Sequence, residues 1–242
     1  MTESNSPYSG ISELADAEQG LVNYYSNIID LIVPKSIRPS LANGEFSVLE
    51  FGAGTGFLSE LLQTHYKVKP DCLEIDVTLL QILDSKGFNT FSSLTDVDDK
   101  YDLIFSSNVL EHIQNDENTL AQLGKLLKPN GLLVNYVPAF PILFSQLDVA
   151  VGHFRRYTKK ELRLKLKATG YSVNQIHFVD SLGFPASLAL RVLGYKSHGN
   201  IGGLKSMKIY DQYLFPLSQF LDRIGFKYLF GKNIIVYAKL EA

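Results

Sequence analysis

The stretch VLEFGAGTGFLSELL, residues 48–62, places three glycines between a short apolar run and a pattern with helical spacing. A glycine-rich turn at such a point lets the main chain approach a ligand closely, because no Cβ intervenes. The glycines follow the spacing G-x-G-x-G, and Phe57 stands where the dinucleotide fingerprint G-x-G-x-x-G needs a small residue. The turn therefore predicts a nucleotide-like ligand and disfavours one that carries a pyrophosphate.

Two carboxylates flank this turn. Glu50 lies just before the glycines, where its charge repels phosphate and suits a ligand with cationic groups. Glu74 ends the next predicted strand, where it can accept hydrogen bonds from both hydroxyls of a ribose, whereas Asp76 is expected to cap the next helix. S-adenosylmethionine has a protonated amine, a sulfonium and no phosphate, so these residues predict it as the cofactor. The alternative is a turn whose glycines serve packing alone.

Strands and helices alternate along the chain. Apolar runs predict strands at residues 46–51, 71–75, 89–91, 101–106, 132–137, 171–178 and 232–240. Helical spacing, caps and breakers predict helices at residues 11–33, 56–65, 77–86, 118–127 and 158–170. This alternation favours parallel pairing with right-handed crossovers, and therefore a doubly wound α/β sheet.

The same pattern predicts one domain over residues 1–242. Its expected parts are an N-terminal tail and helix at 1–40, a cofactor-binding core at 41–180, an aromatic helical cap at 181–230 and a last strand at 231–242.

The composition disfavours several classes of function. The 242 residues carry a net charge of −2, so no basic field attracts nucleic acid. Cys72 is the only cysteine, which excludes a disulfide within the chain and a cysteine-based metal cluster. No run of about 18 uncharged apolar residues predicts a membrane span. Residues 1–10 lack the pattern of a signal peptide, and we expect a cytoplasmic location.

Several segments resemble the class I S-adenosylmethionine-dependent methyltransferases. Residues 48–56 (VLEFGAGTG) are similar to their first motif and residues 73–76 (LEID) to their second. Residues 100–113 (KYDLIFSSNVLEHI) and 126–139 (LLKPNGLLVNYVPA) resemble their fourth-strand and fifth-strand motifs. Residues 152–157 (GHFRRY) resemble a segment of one branch of that class, whose members often lie beside glycosyltransferases or are fused to them.

The resemblance implies a Rossmann-like sheet of seven strands, six parallel and the last antiparallel, with the helical cap between strands six and seven. It also implies cofactor contacts from residues at the ends of the first, second and fourth strands: Glu50, Gly52, Ala53, Gly54, Gly56, Glu74, Ile75 and Asn108. Many relatives bind the adenine amine with an acid after the third strand. Here Ser92, Ser93, the main chain at Leu94 or the displaced Asp96 would have to serve.

The segment LDVAVGHFRRYT, which ends at Thr158, carries the candidate catalytic and substrate-binding residues. We predict His153 as the general base, with Asp148 orienting its imidazole. Arg155 and Arg156 are expected to clamp a carboxylate or phosphate of the substrate, with Tyr157 beside them. In the alternative interpretation, Asp148 pairs with an arginine and braces the loop.

His112 follows Glu111 after the fourth predicted strand, and is either a pocket residue that acts as a second candidate base or a packing residue under the loop. No cluster of acids at the end of that strand suggests magnesium, so we predict a metal-independent enzyme. The residues Ser106-Ser107-Asn108 stand where exocyclic-amine nucleic-acid methyltransferases carry an N-P-P-Y-type tetrapeptide.

Together these features predict S-adenosylmethionine-dependent methyl transfer to a small molecule, most simply to an oxygen of a sugar, a lipid-linked or a secondary-metabolite acceptor. Two other classes stay open: an NAD-dependent reductase or epimerase, and a non-catalytic cofactor-binding partner of a glycosyltransferase. The aromatic cap, with a hinge predicted at Gly199, Gly202 and Gly203, favours a lipid-like or aromatic substrate or a homodimer interface. Lysines in the cap allow peripheral contact with anionic lipid, without membrane insertion.

Overall fold

Seven strands form one sheet in the computed structural model, which describes residues 11–41, 46–193 and 203–241. The strands are β1 (Val48–Phe51), β2 (Asp71–Leu73), β3 (Thr90–Phe91), β4 (Tyr101–Ser107), β5 (Leu127–Pro138), β6 (Tyr171–Val179) and β7 (Asn233–Leu240). Their order across the sheet is β3-β2-β1-β4-β5-β7-β6. β7 pairs antiparallel with both β5 and β6, and the other pairs are parallel. The predicted Rossmann-like sheet of six parallel strands and a last antiparallel one is confirmed.

Helices cover both faces of the sheet. They are α1 (Ile11–Gly20), α2 (Val22–Ile32), α3 (Arg38–Leu41), α4 (Phe57–Tyr66), α5 (Val77–Ser85), α6 (Asp116–Lys125), α7 (Gln146–Ala150), α8 (Lys159–Ala168), α9 (Gly183–Leu193), α10 (Leu204–Ile209) and α11 (Phe215–Arg223). One apolar cluster joins Ile104 and Leu133 to α6 and α8, and a second joins Leu103 and Val134 to α2 and α4. The central strands are buried on both faces, which explains their continuous apolar runs.

The strand order reverses direction at β1. From β1 the chain proceeds to β2 and β3 on one side, and then crosses to β4 on the other side. The loops after β1 and β4 therefore diverge at the carboxyl ends of these strands and leave a crevice, which is where doubly wound sheets bind their ligands. The glycine turn follows β1, and Asn108 follows β4, so both lie at this crevice.

The helix predicted over residues 11–33 is two helices, α1 and α2, and the continuous helix is therefore wrong. The interruption lies at Leu21, whose main chain is non-helical with φ −125° and ψ 46°. The side chain of Asp211, far along the chain, accepts hydrogen bonds of 2.9 Å from the main-chain amides of Asn23 and Tyr24. This tertiary acceptor satisfies the first amides of α2, and no local pattern could have indicated it.

A helical segment lies between β6 and β7, as predicted for the cap. It contains α9, α10, a π-helical turn at Tyr210–Leu214 and α11. Buried polar groups anchor it: Ser218 Oγ donates to Asp180, and Asp222 accepts from the main-chain amide of Asp180. Of the predicted hinge glycines, Gly199 and Gly202 lie outside the described residues, and Gly203 has an ordinary φ of −74°.

The outer surface of the cap exposes apolar side chains around and after the π-helical turn. They are Tyr213, Leu214, Leu217, Phe220, Ile224, Tyr228 and Leu229. Within the described ranges, every helix is too short or too polar to cross a bilayer.

We expect Asp211→Ala to lower the free energy of unfolding by about 1–2 kcal/mol, because two amides at the start of α2 lose their acceptor. Urea denaturation of the wild type and the variant measures this difference. Asp98, an exposed acid next to the sheet, provides the control, and Asp98→Ala should change the free energy by less than about 0.5 kcal/mol. A value for Asp211→Ala as small as that of the control contradicts the capping role.

Candidate cofactor and catalytic site

The three glycines of the turn have different surroundings. All have left-handed φ values, +74° at Gly52, +57° at Gly54 and +81° at Gly56. A Cβ on Gly52 would lie 2.5 Å from a methyl of Val109, and one on Gly56 would lie 2.7 Å from a methyl of Leu83. A Cβ on Gly54 would have no heavy atom within 4 Å. Close packing thus requires two of the glycines, and the third leaves bare main chain facing open space.

Glu50 is buried beneath the turn. The hydroxyl of Ser59, on α4, donates a short hydrogen bond to its carboxylate. Burial raises the pKa of Glu50 to about 8, and the nearby charge of Glu74 acts in the same direction. A cationic ligand at the turn would stabilise the charged form of this carboxylate, as the sequence analysis predicts.

Glu74 ties the turn to the end of β2. Its carboxylate accepts hydrogen bonds from the main-chain amides of Gly54 and Ile75, both at 2.8 Å, and of Asp76 at 3.0 Å. Because each carboxylate oxygen can accept more than one hydrogen bond, these contacts leave room for ribose hydroxyls. Asp76 accepts from the amides of Thr78 and Leu79 and caps α5, as expected.

The remaining predicted cofactor residues follow the carboxyl ends of β1, β2 and β4. Ala53 donates its amide to the carbonyl of Leu73, and Ile75 is 75% exposed beyond the end of β2. Asn108 has a φ of +54°, and its amide donates to the carbonyl of Tyr136 at 2.8 Å. In the candidate adenine segment, Ser92 donates to Asp96 at 3.1 Å. The roles of these residues toward the cofactor stay predictions.

Asp148 is the centre of a buried polar cluster after β5. One oxygen lies 2.8 Å from Nδ1 of His153, and Arg156 donates to both oxygens at 2.7 and 3.1 Å. Ser145 donates from its amide and its hydroxyl. Burial acts to raise the pKa of Asp148, but the hydrogen bonds from His153 and Arg156 outweigh burial and hold the pKa below its usual value. Asp148 thus makes the contacts expected in both interpretations of the sequence. It holds the imidazole of His153, and it also pairs with an arginine.

Glu111 and His112 lie on a short turn after β4, next to His153. The two imidazole rings meet edge to face, with centroids 4.6 Å apart. Oε1 of Glu111 is 3.8 Å from Nε2 of His153. Burial raises the pKa of Glu111 to about 8 and lowers that of His112 to about 4, with the nearby His153 adding to the second shift. The structure thus brings both candidate histidines together with an acid.

Two of the predicted substrate residues belong to a neighbouring network around Asp116. Arg155 pairs with its carboxylate at 3.1 Å, and Tyr157, which is fully buried, donates its hydroxyl to it at 2.8 Å. Lys165 of α8 completes the network. The predicted substrate contacts of Arg155, Arg156 and Tyr157 stay predictions, but all three side chains already have partners within the chain.

Two further residues of interest were missed by the sequence analysis. Glu111 is fully buried, and both its oxygens lack hydrogen-bond partners among the described residues. Lys232, just before β7, has its pKa lowered by burial, with Asp180, Arg156 and Asp148 among the charges that influence it. In the sequence, nothing distinguishes Glu111 from the other acids. Lys232 is likewise not part of any motif that would indicate a functional role. The prediction of a metal-independent enzyme was based on acids at the end of β4 and did not consider histidines as metal ligands.

A doubly wound sheet with an antiparallel seventh strand, and a glycine turn between two acids at its switch point, define a nucleotide-binding domain of the methyltransferase type. The chain belongs to the methyltransferase family described as "Methyltransferase domain", whose model matches residues 18–176. Its cofactor is S-adenosylmethionine. The turn fits this cofactor, because Gly54 presents open main chain beside the acids Glu50 and Glu74.

Known proteins share parts of the sequence and the fold. The chain is 32% identical over 148 residues to malonyl-[acyl-carrier protein] O-methyltransferase 2 of Ilyobacter polytropus, over 56% of this chain and 51% of that protein. The chain thus spans about half the length of this relative.

Two solved methyltransferases have the same fold. An S-adenosylmethionine-dependent methyltransferase from Archaeoglobus fulgidus superposes with a TM-score of 0.54 at 17% identity, over 84% of this chain and 91% of that one. One from Clostridium acetobutylicum superposes with a TM-score of 0.51 at 13% identity, over 91% of this chain and 99% of that one.

We expect Gly54→Ala to weaken binding of S-adenosylhomocysteine by about tenfold or more, equivalent to about 1.4 kcal/mol, because its Cβ would occupy the open side of the turn. Calorimetric titration measures this change. Gly170 is a matched control, with a φ of +87° and no heavy atom within 4 Å of an added Cβ. Both variants should lose a similar stability, about 1 kcal/mol, from backbone strain. Equal affinity in the two variants contradicts the placement of the cofactor at Gly54.

Proposed function

We propose that this chain transfers the methyl group of S-adenosylmethionine to an oxygen of a small-molecule acceptor. When bound, the cofactor supplies a methyl group activated by the adjacent sulfonium. The observation that carries the proposal is the 2.8 Å contact between Nδ1 of His153 and the buried Asp148, at the same edge of the sheet as the glycine turn. Because the lowered pKa of Asp148 keeps it charged, this carboxylate only accepts, so the proton of His153 stays on Nδ1.

The Nε2 atom of His153 is therefore the one that carries a lone pair toward the acceptor. The side chain of His153 is 14% exposed, so its imidazole is partly accessible. Nε2 can act on an acceptor hydroxyl as a proton acceptor, as the sequence analysis predicts, or through a metal ion. Asp148 acts through His153 as a positioning residue.

Two cationic groups support an acceptor that carries a negative charge. Nη1 of Arg156 is buried and lacks a hydrogen-bond partner among the described residues, although the rest of its guanidinium is held by Asp148. Lys232 lies within the electrostatic influence of Arg156 and Asp148. A carboxylate or phosphate of the acceptor between these two side chains would satisfy both. The O-methyltransferase name of the Ilyobacter polytropus relative supports an oxygen as the atom methylated.

The exposed apolar face of the cap supports a lipid-linked acceptor among the three predicted classes. Tyr213, Phe220 and Tyr228 give this face aromatic rings that suit an acyl or isoprenoid chain. A homodimer interface and peripheral contact with anionic lipid stay predictions for the same surface. An NAD-dependent reductase is disfavoured by the family and by the acid beneath the glycine turn.

We expect His153→Ala to slow methyl transfer by about 10²–10⁴-fold while cofactor binding is kept, because the side chain acts on the acceptor and not on the cofactor. Glu50→Ala should instead abolish cofactor binding. His65→Ala, an exposed histidine on α4, is the control and should change neither quantity.

The measurement uses S-adenosylmethionine labelled in its methyl group and fractions of a metabolite extract, with label followed into the product. Unchanged turnover in His153→Ala removes that residue from the reaction. Cofactor binding without label transfer to any fraction favours the non-catalytic partner of a glycosyltransferase.

A further inference from the structure

Three side chains with ligand atoms for a metal converge at the crevice. Glu111 and His112 come from the turn after β4, and His153 comes from the loop after α7. One ligand atom from each lies within 4.8 Å of the other two. Gly152 has a φ of +81°, a left-handed conformation that favours glycine, at the point where the second loop passes His112.

Glu111 is the buried member of the three, whereas both histidines are partly exposed. Its side chain is 0% exposed, and within the part of the chain that the structure describes neither oxygen has a hydrogen-bond partner. Arg156 is held by Asp148 and does not pair with it. A buried carboxylate in this state is costly, and coordination of a cation would remove the cost.

One of the two histidines, His153, is oriented as a metal-ligating histidine usually is. Nδ1 of His153 is held by Asp148, which leaves Nε2 toward Glu111 at 3.8 Å. Nδ1 of His112 faces the main chain of Gly152, 3.8 Å from the position of an ideal Cβ on that glycine. In metal sites the second ring nitrogen of a histidine typically has such a carboxylate or carbonyl partner, which fixes the tautomer and the direction of the first.

We propose that Glu111, His112 and His153 bind a divalent transition-metal ion. Two imidazoles and one carboxylate suit zinc, iron, cobalt or nickel better than magnesium, and they leave coordination positions open. Ligand atoms about 2.0–2.2 Å from the ion are about 3.4 Å apart in a tetrahedral site. Side-chain rotations that move the ligand atoms by up to about 1.5 Å would therefore bring all three within bonding distance of one ion. This proposal replaces the metal-independent enzyme of the sequence analysis.

The role that we assign to the ion, binding of the acceptor, rests on the proposed function. An acceptor hydroxyl would take an open coordination position, with Arg156 and Lys232 on its charged group, and the ion would lower the pKa of the hydroxyl so that its proton is lost to solvent. His153 then acts as a ligand, and its contribution to turnover arises through the ion.

The full chain is first treated with a chelator, and the chelator is then removed. The protein is titrated with Co²⁺, and the visible absorption of the bound ion is recorded. We expect saturation at one equivalent and displacement by Zn²⁺, which binds such sites more tightly. His112→Ala, His153→Ala and Glu111→Gln should each weaken binding by more than the roughly 10–100-fold expected for the outer variant Asp148→Asn. His65→Ala should bind as the wild type does.

Glu111→Gln keeps the size of the side chain, so it decides the test if a histidine variant fails to fold. Absence of a saturable site in the wild type overturns the proposal, as does unchanged affinity in both Glu111→Gln and His153→Ala. Binding of S-adenosylhomocysteine is measured on the same samples. A chain that binds Co²⁺ at this site but no S-adenosylhomocysteine supports the metal site and contradicts the proposed function. A chain that binds S-adenosylhomocysteine but no Co²⁺ contradicts the metal site and supports the proposed function.

Discussion

The hydrogen bonds from three main-chain amides to the carboxylate of Glu74 hold the glycine turn at which the cofactor is proposed to bind. One amide belongs to Gly54 of the glycine turn, and the other two belong to residues that follow β2. They join the ends of two adjacent strands through one side chain. The left-handed turn is strained for any residue but glycine, and this carboxylate fixes it in the shape that leaves bare main chain at the crevice.

The sheet could be predicted from the sequence, because its central strands are apolar on both faces and its turns carry glycine, proline and capping residues. The break at Leu21 could not, since it depends on Asp211, which is remote in sequence. The pair of Asp148 and His153 was predictable, since the two residues are five positions apart. The burial of Glu111 and its approach to His153 require the folded loops, because charge alone does not distinguish a buried acid from an exposed one.

Polar groups at the crevice fall into two sets with different physical character. Glu50, Glu74 and the glycine turn place two carboxyl groups and bare main chain on the β1 side, which suits a cationic nucleoside. On the β4 and β5 side, the cationic groups of Arg156 and Lys232 act on the carboxylate of Asp148, which holds His153. This asymmetry is consistent with the separate places proposed for the cofactor and the acceptor. The network around Asp116, by contrast, braces the loop from below.

The cap and the N-terminal helices are physically one unit. Asp211 supplies the acceptor that begins α2, and Gly20 at the end of α1 leaves space for Met207 of α10, where an added Cβ would lie 2.8 Å away. Exchanging the cap alone for that of another protein would therefore leave the first amides of α2 without their acceptor. A chimera that transplants residues 11–32 together with 203–223 keeps the contacts between α1, α2 and the cap. The two stretches should therefore be inherited, and engineered, as a pair.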